Sequence, residues 1–410
     1  MKLASGRDHL AIPGPSVIPD RVLRAMHRAA PNIYAGELVD MTATVLSDLK
    51  TIAGCSGEVA IYHGNGHAAW EAGLCNMASR GDRVLVLVTG RFGHAWATMV
   101  EGLGISAETI EFGSNQSVDA SRVAKALQAD SGHEIKAVLT VQTDTASSST
   151  NDIPAIRDAI NQVGHPALLV VDAIASFGCE PFHMDEWGVD VLVTASQKGL
   201  MTTPGLGLLF VGERVWPAHA SAGLNTPYWD MKPRVHPKMF PDHFCGTPPT
   251  HLLYGLRESL DMLLEESMVG VWQRHQALSE CIWSTVDAWA VEGSLQCNIP
   301  DKAHRSRAVT AIRTAPGDAV RLREWCEIET GVVLGIGLGA NASEPARDDL
   351  FRIGHMGHLN PAMLLGTLGC IDAGLKSLKI PHGAAALTAA AQSICDSVEM
   401  PSRLLTLDGL

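Results

Sequence analysis

Two apolar runs, at positions 167–171 and 189–194, constrain the fold of this chain more than any other feature. The first run is apolar throughout and the second is rich in β-branched side chains, as expected of strands covered on both faces of a parallel sheet. Asp172 directly follows the first run, and Lys198 follows the second run after a short polar turn. Because the carboxyl ends of parallel strands meet at one sheet edge, where ligands bind, we expect these two side chains to share a site.

Three further apolar runs precede this pair, at positions 58–62, 82–88 and 134–141. Each run leads into a polar or glycine-rich loop, and helical patterns lie between the runs. This alternation predicts an α/β fold in which a large domain contains a doubly wound, mostly parallel sheet.

The character of the sequence changes after about position 213. Residues 225–250 are rich in Pro, aromatic and His residues, which excludes regular structure over much of this stretch. A long helical pattern follows at 252–288. Strand patterns at 308–312 and 332–336 then predict a smaller α+β domain at the C-terminal end.

We expect two domains, because a chain of 410 residues is longer than one hydrophobic core usually supports. The boundary is placed within the long helical pattern, near Ser267. Residues 1–266 would form the N-terminal segment and the large domain, and residues 267–410 the small C-terminal domain.

Aspartate and lysine at one sheet edge are the two residue types that pyridoxal phosphate chemistry requires. A lysine amine forms a Schiff base with the cofactor aldehyde, and a carboxylate keeps the pyridine nitrogen protonated, so that the ring withdraws electrons from the substrate carbon. Taken alone, Asp172 could begin a turn and Lys198 could be a solvated loop lysine. Their joint position after adjacent buried strands favours the cofactor, with Lys198 as the proton shuttle once substrate displaces it.

The glycine-rich turn at 64–69 fits the pattern G-x-G-x-x-A, for which a dinucleotide and a phosphate are alternative ligands. A dinucleotide fingerprint requires an acidic residue about 20 positions later. Residues 86–90 read VLVTG at that place, without one. The turn suits a phosphate, because the backbone N–H groups of Gly66 and His67 would lie at a helix N-terminus.

A metal site is not expected. His63 and His67 are close in sequence, and so are His355 and His358, but neither pair has a carboxylate or Cys at ligand spacing.

Charge and cysteine usage fit an intracellular enzyme with small ligands. The formal net charge is −13 and no block of Lys and Arg occurs, which argues against nucleic acid or an anionic membrane as a partner. The nine Cys residues include no C-x-x-C pair, which indicates free thiols in a reducing compartment. A signal-peptide apolar segment is absent at the start, and no stretch of about 18 apolar residues occurs, so we expect a cytoplasmic protein without a membrane span.

Six short motifs follow one another along the chain between about Ile12 and Ala390. They are PGP at 13–15, GNGHAAWE at 64–71, MDEWGVD at 184–190, SQK at 196–198, TP at 247–248 and FRIGH at 351–355. In this order they resemble the alanine/serine–glyoxylate aminotransferases, which belong to the class V group of fold-type I pyridoxal phosphate enzymes. The set is specific for the family and much less specific for the substrate.

The resemblance implies a role for each matching residue. Lys198 would form the Schiff base, Asp172 would pair with the pyridine nitrogen, and Arg352 would bind the substrate carboxylate through a bidentate fork. The remaining cofactor contacts would be ring stacking by Phe92, a hydrogen bond from Thr145 to the ring hydroxyl, and phosphate binding by Gly66, His67, Gln197 and Thr247. Family members are homodimers in which Thr247 would reach the site of the neighbouring subunit.

Several positions depart from the family pattern. Relatives often read His-x-Glu-Thr-x-Thr-Gly where this chain has Gln142, Asp144 and, in place of the Gly, Ser148. Tyr34-Ala35-Gly36 stands where many relatives carry Arg-Ser-Pro, and the loop before Thr247 has Phe244 and Gly246 where aromatic residues, often Tyr at the first position, are common. We expect these changes to affect the substrate side of the site, and the phosphate contact in the case of the loop.

The sequence therefore predicts a transaminase that works by a ping-pong cycle. The amino donor would be a small amino acid such as alanine, serine or aspartate, and the acceptor an oxo acid, glyoxylate by family inheritance. Alternatives are another reaction on the same cofactor, such as a lyase, a cysteine desulfurase or an amine or pyridoxamine–pyruvate transaminase, and a pyridoxal phosphate-binding protein without catalysis. A catalytic Cys in a recognisable loop, which desulfurisation requires, is not found in the sequence.

Overall fold

The structure, a computed structural model, describes residues 4–339 and 347–398 of the chain. Strands and helices alternate through most of the first half. The strands are β1 (His9–Ala11), β2 (Glu58–Gly64), β3 (Arg83–Val88), β4 (Ser106–Glu111), β5 (Ile135–Val141), β6 (Thr143–Asp144), β7 (Ser149–Thr150), β8 (Leu168–Asp172), β9 (Val191–Ala195), β10 (Gly205–Val211), β11 (Gln296–Cys297), β12 (Val309–Arg313), β13 (Val332–Gly337) and β14 (Arg347–Gly354). The helices are α1 (Asp20–Met26), α2 (Glu37–Ala53), α3 (Gly66–Cys75), α4 (Arg91–Gly102), α5 (Ala120–Ala129), α6 (Ile153–Gln162), α7 (Val215–Ser221), α8 (Lys232–Val235), α9 (Thr250–Glu266), α10 (Met268–Trp289), α11 (Asp318–Trp325), α12 (Pro361–Ser377) and α13 (Ala386–Asp396).

The larger sheet has seven strands in the order β2-β10-β9-β8-β5-β3-β4. Each neighbouring pair from β9 to β4 is parallel, and β10 runs antiparallel to both of its neighbours. The predicted mostly parallel α/β sheet is therefore confirmed. β8 and β9 lie side by side at its centre, so the residues that follow them emerge at the same edge.

The apolar runs of β8 and β9 have hydrophobic side chains on both faces because helices cover both faces of the sheet. Leu169 and Leu192 belong to one buried cluster, which includes residues of α2 and α6. Val170 and Val193 belong to a second buried cluster, which includes residues of α3 and α4. A strand that contacts two cores has no polar face, which explains the lack of alternation in the sequence.

The smaller sheet has five strands in the order β1-β13-β14-β12-β11. The N-terminal strand β1 pairs in parallel with β13, while β14 is antiparallel to both β13 and β12. Helices α10 to α13 supply a third hydrophobic cluster around residues such as Trp289, Phe351 and Leu368. The chain thus enters this sheet at its start and returns to it after α10.

The helical pattern at 252–288 is interrupted in the structure. Ser267 separates α9 from α10 with a φ of +67°, and its side-chain oxygen accepts a hydrogen bond from the N–H of Gly270. Serine favours helix caps because its hydroxyl replaces a missing helical partner. The domain boundary placed at this residue stays a prediction.

Within the described residues, no helix combines the length and the apolar composition that crossing a bilayer demands.

Candidate active site

A cavity of about 190 Å³ opens at the carboxyl ends of β5 and β8, beside the N-terminus of α3. Larger depressions occur on the surface, but this cavity is the place where the charged and polar side chains at the sheet edge converge. The structure brings seven of the predicted residues to its wall: Gly66, His67, Phe92, Thr145, Asp172, Gln197 and Lys198.

Asp172 lies at the end of β8 and is almost completely buried. One carboxylate oxygen accepts the backbone N–H of Ile174 at 2.6 Å, and the other accepts the indole N–H of Trp70 at 3.0 Å. Burial raises the pKa of Asp172 to about 7, although both hydrogen bonds and the nearby Lys198 act in the opposite direction. The carboxylate is therefore fixed in orientation and costly to ionise without a cationic partner.

Lys198 follows β9 and extends toward the N-terminal segment of the chain. Its ammonium group donates to the carbonyl oxygen of Pro13, and its own carbonyl oxygen accepts the hydroxyl of Ser16 at 2.7 Å. Burial lowers the pKa of Lys198 to about 8, with the positive charge of Arg352 as a second cause. A lysine in this state is partly neutral near neutral pH and can act as a nucleophile or base.

Gly14 shows why the motif PGP contains a glycine. Its φ is +100°, and a Cβ at this position would collide with the side chain of Lys198. The motif therefore allows the N-terminal segment to pass directly over the lysine.

The N-terminus of α3 forms one end of the cavity. Asn65 caps the helix, and its side-chain oxygen accepts the backbone N–H groups of His67 at 3.0 Å and Ala68 at 3.4 Å. A Cβ at Gly66 would displace the end of the Ile174 side chain, so glycine leaves this side of the helix N-terminus open. The amide oxygen of Gln197 is buried without a hydrogen-bond partner. This end of the cavity offers the backbone N–H groups of a helix N-terminus to an anion.

Asp144 organises the side of the cavity that carries Phe92 and Thr145. Its buried carboxylate accepts the backbone N–H groups of Phe92 at 2.8 Å and Ala146 at 2.9 Å, and burial raises its pKa. Any side chain at Gly90 would meet this carboxylate. Asp144 is shorter than the Glu that is common in the family, and its two hydrogen bonds hold this loop in place.

Arg352 reaches the site from β14 of the smaller sheet. It donates to the carbonyl oxygens of Thr145 and Ile336, each at 2.7 Å. Burial lowers the pKa of Arg352 to about 10, while Asp144 acts in the opposite direction. The guanidinium group therefore lies directly behind the loop that lines the cavity, without lining it itself.

Ser148 takes the place of the family's glycine but keeps a glycine-like backbone, with a φ of +61°. Its hydroxyl accepts the N–H of Ala311 at 3.2 Å, and its carbonyl oxygen accepts the N–H of Ser306 at 3.1 Å. The side chain thus joins the cavity loop to the smaller sheet. This bond offsets the strain of a left-handed non-glycine residue.

Thr247 lies outside the cavity. It is exposed, next to Gly246 at φ +136° and three residues after the buried Phe244. Tyr34 is also exposed, with 75% of its surface accessible. The single chain brings neither of these residues to its own site.

Of the four histidines in the two pairs, His67 lines the cavity, while His63 and His355 are engaged elsewhere. His63 stacks on Phe244 with the ring centroids 6.3 Å apart, and His355 is buried and bonded to Thr310. No group of three or more His, Cys, Asp or Glu side chains that could hold a metal occurs in the part of the chain that the structure describes.

Trp70 is a member of the GNGHAAWE motif at 64–71, but no role was predicted for it from the sequence. The signal available was its position four residues after Gly66, one helical turn below the predicted phosphate site. Its indole is fully buried against Trp96, His67 and Phe92.

Comparisons with known proteins agree on one family. Residues 52–350 match the family model described as aminotransferase class-V. The chain is 36% identical to the serine–glyoxylate aminotransferase of Methylorubrum extorquens, over 90% of this chain and 93% of the relative. It is 32% identical to the L-aspartate–glyoxylate aminotransferase of Paracoccus denitrificans, over 95% and 96%. Among solved structures, the pyridoxamine–pyruvate aminotransferase from Mesorhizobium loti has a TM-score of 0.84 at 25% identity, covering 96% of this chain and 98% of that one.

Proposed function

Because this chain belongs to the class V aminotransferase family and is a transaminase, we propose that it uses pyridoxal 5'-phosphate to move the amino group of a small amino acid to glyoxylate. Serine is the first donor to test, with aspartate and alanine next. The two relatives described above are named as serine–glyoxylate and L-aspartate–glyoxylate aminotransferases. The observation that carries the proposal is the convergence of Lys198 and Asp172 in one buried cavity that has a helix N-terminus at its other end.

The side chains around the cavity fit the cofactor part by part. Lys198 matches the aldehyde, Asp172 the pyridine nitrogen and Phe92 the face of the ring. The helix N-terminus at Gly66 suits the phosphate, and Gln197, which also lines the cavity, would bind it through its amide NH2 group. His67 would contribute there once the phosphate replaces the oxygen of Asn65 at its backbone N–H. When bound, the cofactor would supply an aldehyde for amine exchange and a ring that accepts electrons.

Lys198 would carry the proton transfer. Since its pKa is about 8, a neutral amine is available near neutral pH to take the α-proton of the amino donor at Nζ and to return a proton later in the cycle. Asp172 would remain ionised opposite the protonated ring nitrogen. The buried walls of the cavity would keep bulk water from the reacting atoms during proton transfer, and one water molecule would then enter to release the oxo acid by hydrolysis.

Arg352 would orient the substrate through its carboxylate. Its Nε and Nη1 atoms are held by two backbone carbonyl oxygens, so the guanidinium plane is fixed beside the Thr145 loop. A fixed planar fork suits a carboxylate, which glyoxylate, serine, alanine and aspartate all carry.

We also infer a homodimer and a location in the cytoplasm. Thr247 is exposed and away from the cavity of its own chain, so a phosphate contact by this residue requires a second copy. The nine cysteines are unpaired thiols, which fits a reducing compartment.

Pyridoxamine–pyruvate transamination is the second candidate. It is favoured by the TM-score of 0.84 to such an enzyme and by 30% identity to a pyridoxamine–pyruvate transaminase over 84% of this chain. A free vitamin amine has no carboxylate, so this reaction would leave Arg352 without a partner during the donor half of the cycle.

The test is an absorbance spectrum of the purified protein reconstituted with pyridoxal phosphate. Serine, alanine and aspartate are added separately without any oxo acid, and pyridoxamine is tested with pyruvate by following pyridoxal release. Loss of the visible cofactor band with one amino acid, and its return on addition of glyoxylate, would support the proposal and identify the donor. Pyridoxal release from pyridoxamine and pyruvate, with no response to the three amino acids, would favour the second candidate. A Lys198→Ala variant that kept the band and full turnover would overturn both.

A further inference from the structure

Trp70 makes the one side-chain hydrogen bond to Asp172 that the structure shows among the described residues. Its indole N–H donates to a carboxylate oxygen at 3.0 Å, and the two residues are 102 positions apart in the chain. Both side chains are almost completely buried, at 0% and 3% exposure. The second carboxylate oxygen is held by the backbone N–H of Ile174.

Packing fixes the indole in this position. Trp70 stacks on Trp96 with the ring centroids 5.3 Å apart and an interplanar angle of 12°. The imidazole of His67 also contacts the Trp70 ring, with the ring centroids 4.5 Å apart. Phe92, on the cavity wall, meets Trp70 edge-on at 6.4 Å. The donor therefore cannot turn away from Asp172 without disturbing three neighbouring aromatic side chains.

Trp96 is a natural contrast within the same cluster. Its indole N–H is buried and has no hydrogen-bond partner. The cluster thus accepts a tryptophan for its shape alone at one position, while at the other position the N–H is directed at the carboxylate. The difference argues that the bond of Trp70 serves Asp172 and is more than a consequence of packing.

From this geometry we infer that Trp70 is a positioning residue of the transaminase, which holds the Asp172 carboxylate ionised and in one plane for the pyridine nitrogen. The inference rests on the proposed function. It makes α3 a connector between the two ends of the cofactor, because Gly66 and His67 begin the helix at the phosphate end and Trp70 follows one turn later, about 6 Å along the axis.

Other charged groups around Asp172 do not replace this contact. Lys198 favours the ionised carboxylate, but it is committed to Schiff-base chemistry, and the buried Asp144 opposes ionisation. His67 contacts the Trp70 ring, and burial lowers the pKa of its imidazole, so it is neutral near neutral pH. Trp70 and Ile174 are therefore the donors left to stabilise the negative charge throughout the cycle.

The experiment compares Trp70→Phe with Trp96→Phe. Each variant removes one indole from the same stack, but only the first removes a hydrogen bond to Asp172. The dissociation constant of pyridoxal phosphate is measured across pH by absorbance titration of the cofactor-free protein. We expect Trp70→Phe to weaken binding about tenfold or more, as for loss of one hydrogen bond to a charged group, and to shift the acidic limb of binding to higher pH. Trp96→Phe keeps an aromatic ring in the stack and the hydrogen bond of Trp70, so its dissociation constant should change much less than that of Trp70→Phe.

Two further measurements separate positioning from loss of structure. In an Asp172→Asn background the Trp70→Phe change should no longer affect binding, because the carboxylate is gone. The 1-deaza analogue of pyridoxal phosphate, which has carbon in place of the ring nitrogen, should bind to wild type and Trp70→Phe with similar affinity. Equal losses in Trp70→Phe and Trp96→Phe, or a Trp70→Phe loss that persists with Asp172→Asn, would overturn the inference. A wild-type protein that bound no pyridoxal phosphate would instead overturn the proposed function.

Discussion

Burial sets the ionisation of the charged residues in and around the cavity. Asp172, Asp144 and Glu180 are buried carboxyl groups whose pKa values are raised, while the pKa values of Lys198 and Arg352 are lowered. In each case removal from water is the largest cause, because it penalises the charged form. The site without cofactor is therefore electrostatically strained, and a cationic ring nitrogen would relieve that strain at Asp172.

The free energy of unfolding of the cofactor-free protein should depend on pH because of the raised pKa of Asp172. Between its ordinary pKa of 3.8 and about 7, the unfolded chain has lost a proton that the folded chain still holds. The contribution of Asp172 to the free energy of unfolding is therefore full at low pH and falls by at most about 1.4 kcal/mol per pH unit across this window. Asp172→Asn should remove that slope. Urea denaturation of both proteins at several pH values measures it, and parallel curves would contradict the assignment.

Gly14 and Gly36 form a matched pair for testing the contact over Lys198. Both have positive φ, at +100° and +89°, but a Cβ at Gly36 meets nothing within 4 Å, whereas one at Gly14 collides with Lys198. Gly36→Ala should cost about 1–3 kcal/mol of stability through backbone strain alone, because its φ of +89° and ψ of −152° lie in a region essentially restricted to glycine. Gly14→Ala should cost more and should also slow formation of the cofactor absorbance band, because the lysine is displaced. Equal band formation in the two variants would show that the close approach is unimportant.

The Pro-rich segment at 225–250 shows how an irregular element is ordered by one charged residue. It contains α8 and a short 3-10 turn at Phe240–Phe244, in place of extended regular structure. Arg234, on α8, is 1% exposed and donates to the carbonyl oxygens of Ile61, Tyr228 and His243. Its guanidinium also lies 4.2 Å from the centroid of the Tyr62 ring. The segment that carries Thr247 is thereby fixed to β2.

Arg234→Lys should loosen this segment, because an ammonium group cannot reach three carbonyl oxygens in the plane that a guanidinium spans. We expect a loss of about 2–3 kcal/mol in the free energy of unfolding. Arg21→Lys is the control, since Arg21 forms exposed ion pairs with Glu258 and Glu265 and its replacement should have no measurable effect. Thermal or urea unfolding of the three proteins provides the comparison. A stable Arg234→Lys protein would mean that the segment is ordered by its prolines.

At the scale of the whole molecule, the site depends on contacts between the two sheets. Glu180 follows β8 and is buried, and its carboxylate accepts hydrogen bonds from Thr143 on β6 and from Ser306 and the N–H of Arg307 before β12. Arg352 and Ser148 make the other bridges described above. Substrate binding by Arg352 would therefore be transmitted directly to the loop that carries Thr145.

The proposed dimer gives a prediction that a single chain cannot satisfy. If Thr247 acts on the site of a second copy, Lys198→Ala and Thr247→Ala subunits should complement each other in a mixed dimer. One of its two sites would then combine an intact Lys198 with an intact Thr247. Transaminase activity of the co-refolded mixture should exceed that of either parent at the limiting cofactor concentration, where the Thr247→Ala protein is weakened. No gain, with mixed dimers verified by tagged subunits, would show that Thr247 does not act across an interface.

The sequence by itself determined five of the seven strands of the larger sheet, all but β4 and β10, and the meeting of Asp172 with Lys198. Strand formation depends on a local pattern of apolar and β-branched residues, and parallel strands bring their carboxyl ends together whatever surrounds them. Predicted strands accordingly lie within one or two residues of those observed, as at 134–141 against Ile135–Val141. The single helical pattern at 252–288 was less accurate, because a left-handed residue at Ser267 leaves hydrophobic periodicity almost unchanged.

Only the tertiary structure decided which groups surround those two residues. The bond from Trp70 to Asp172, the bond from Arg234 to Ile61 and the bond from Ser306 to Glu180 join positions far apart in the chain. Such contacts depend on how helices and sheets pack, and the sequence pattern of either partner shows only that it is buried or polar. Asp172 and Lys198 were therefore enough to predict the chemistry of the site from the sequence. Their charge and orientation, however, are controlled by tertiary packing.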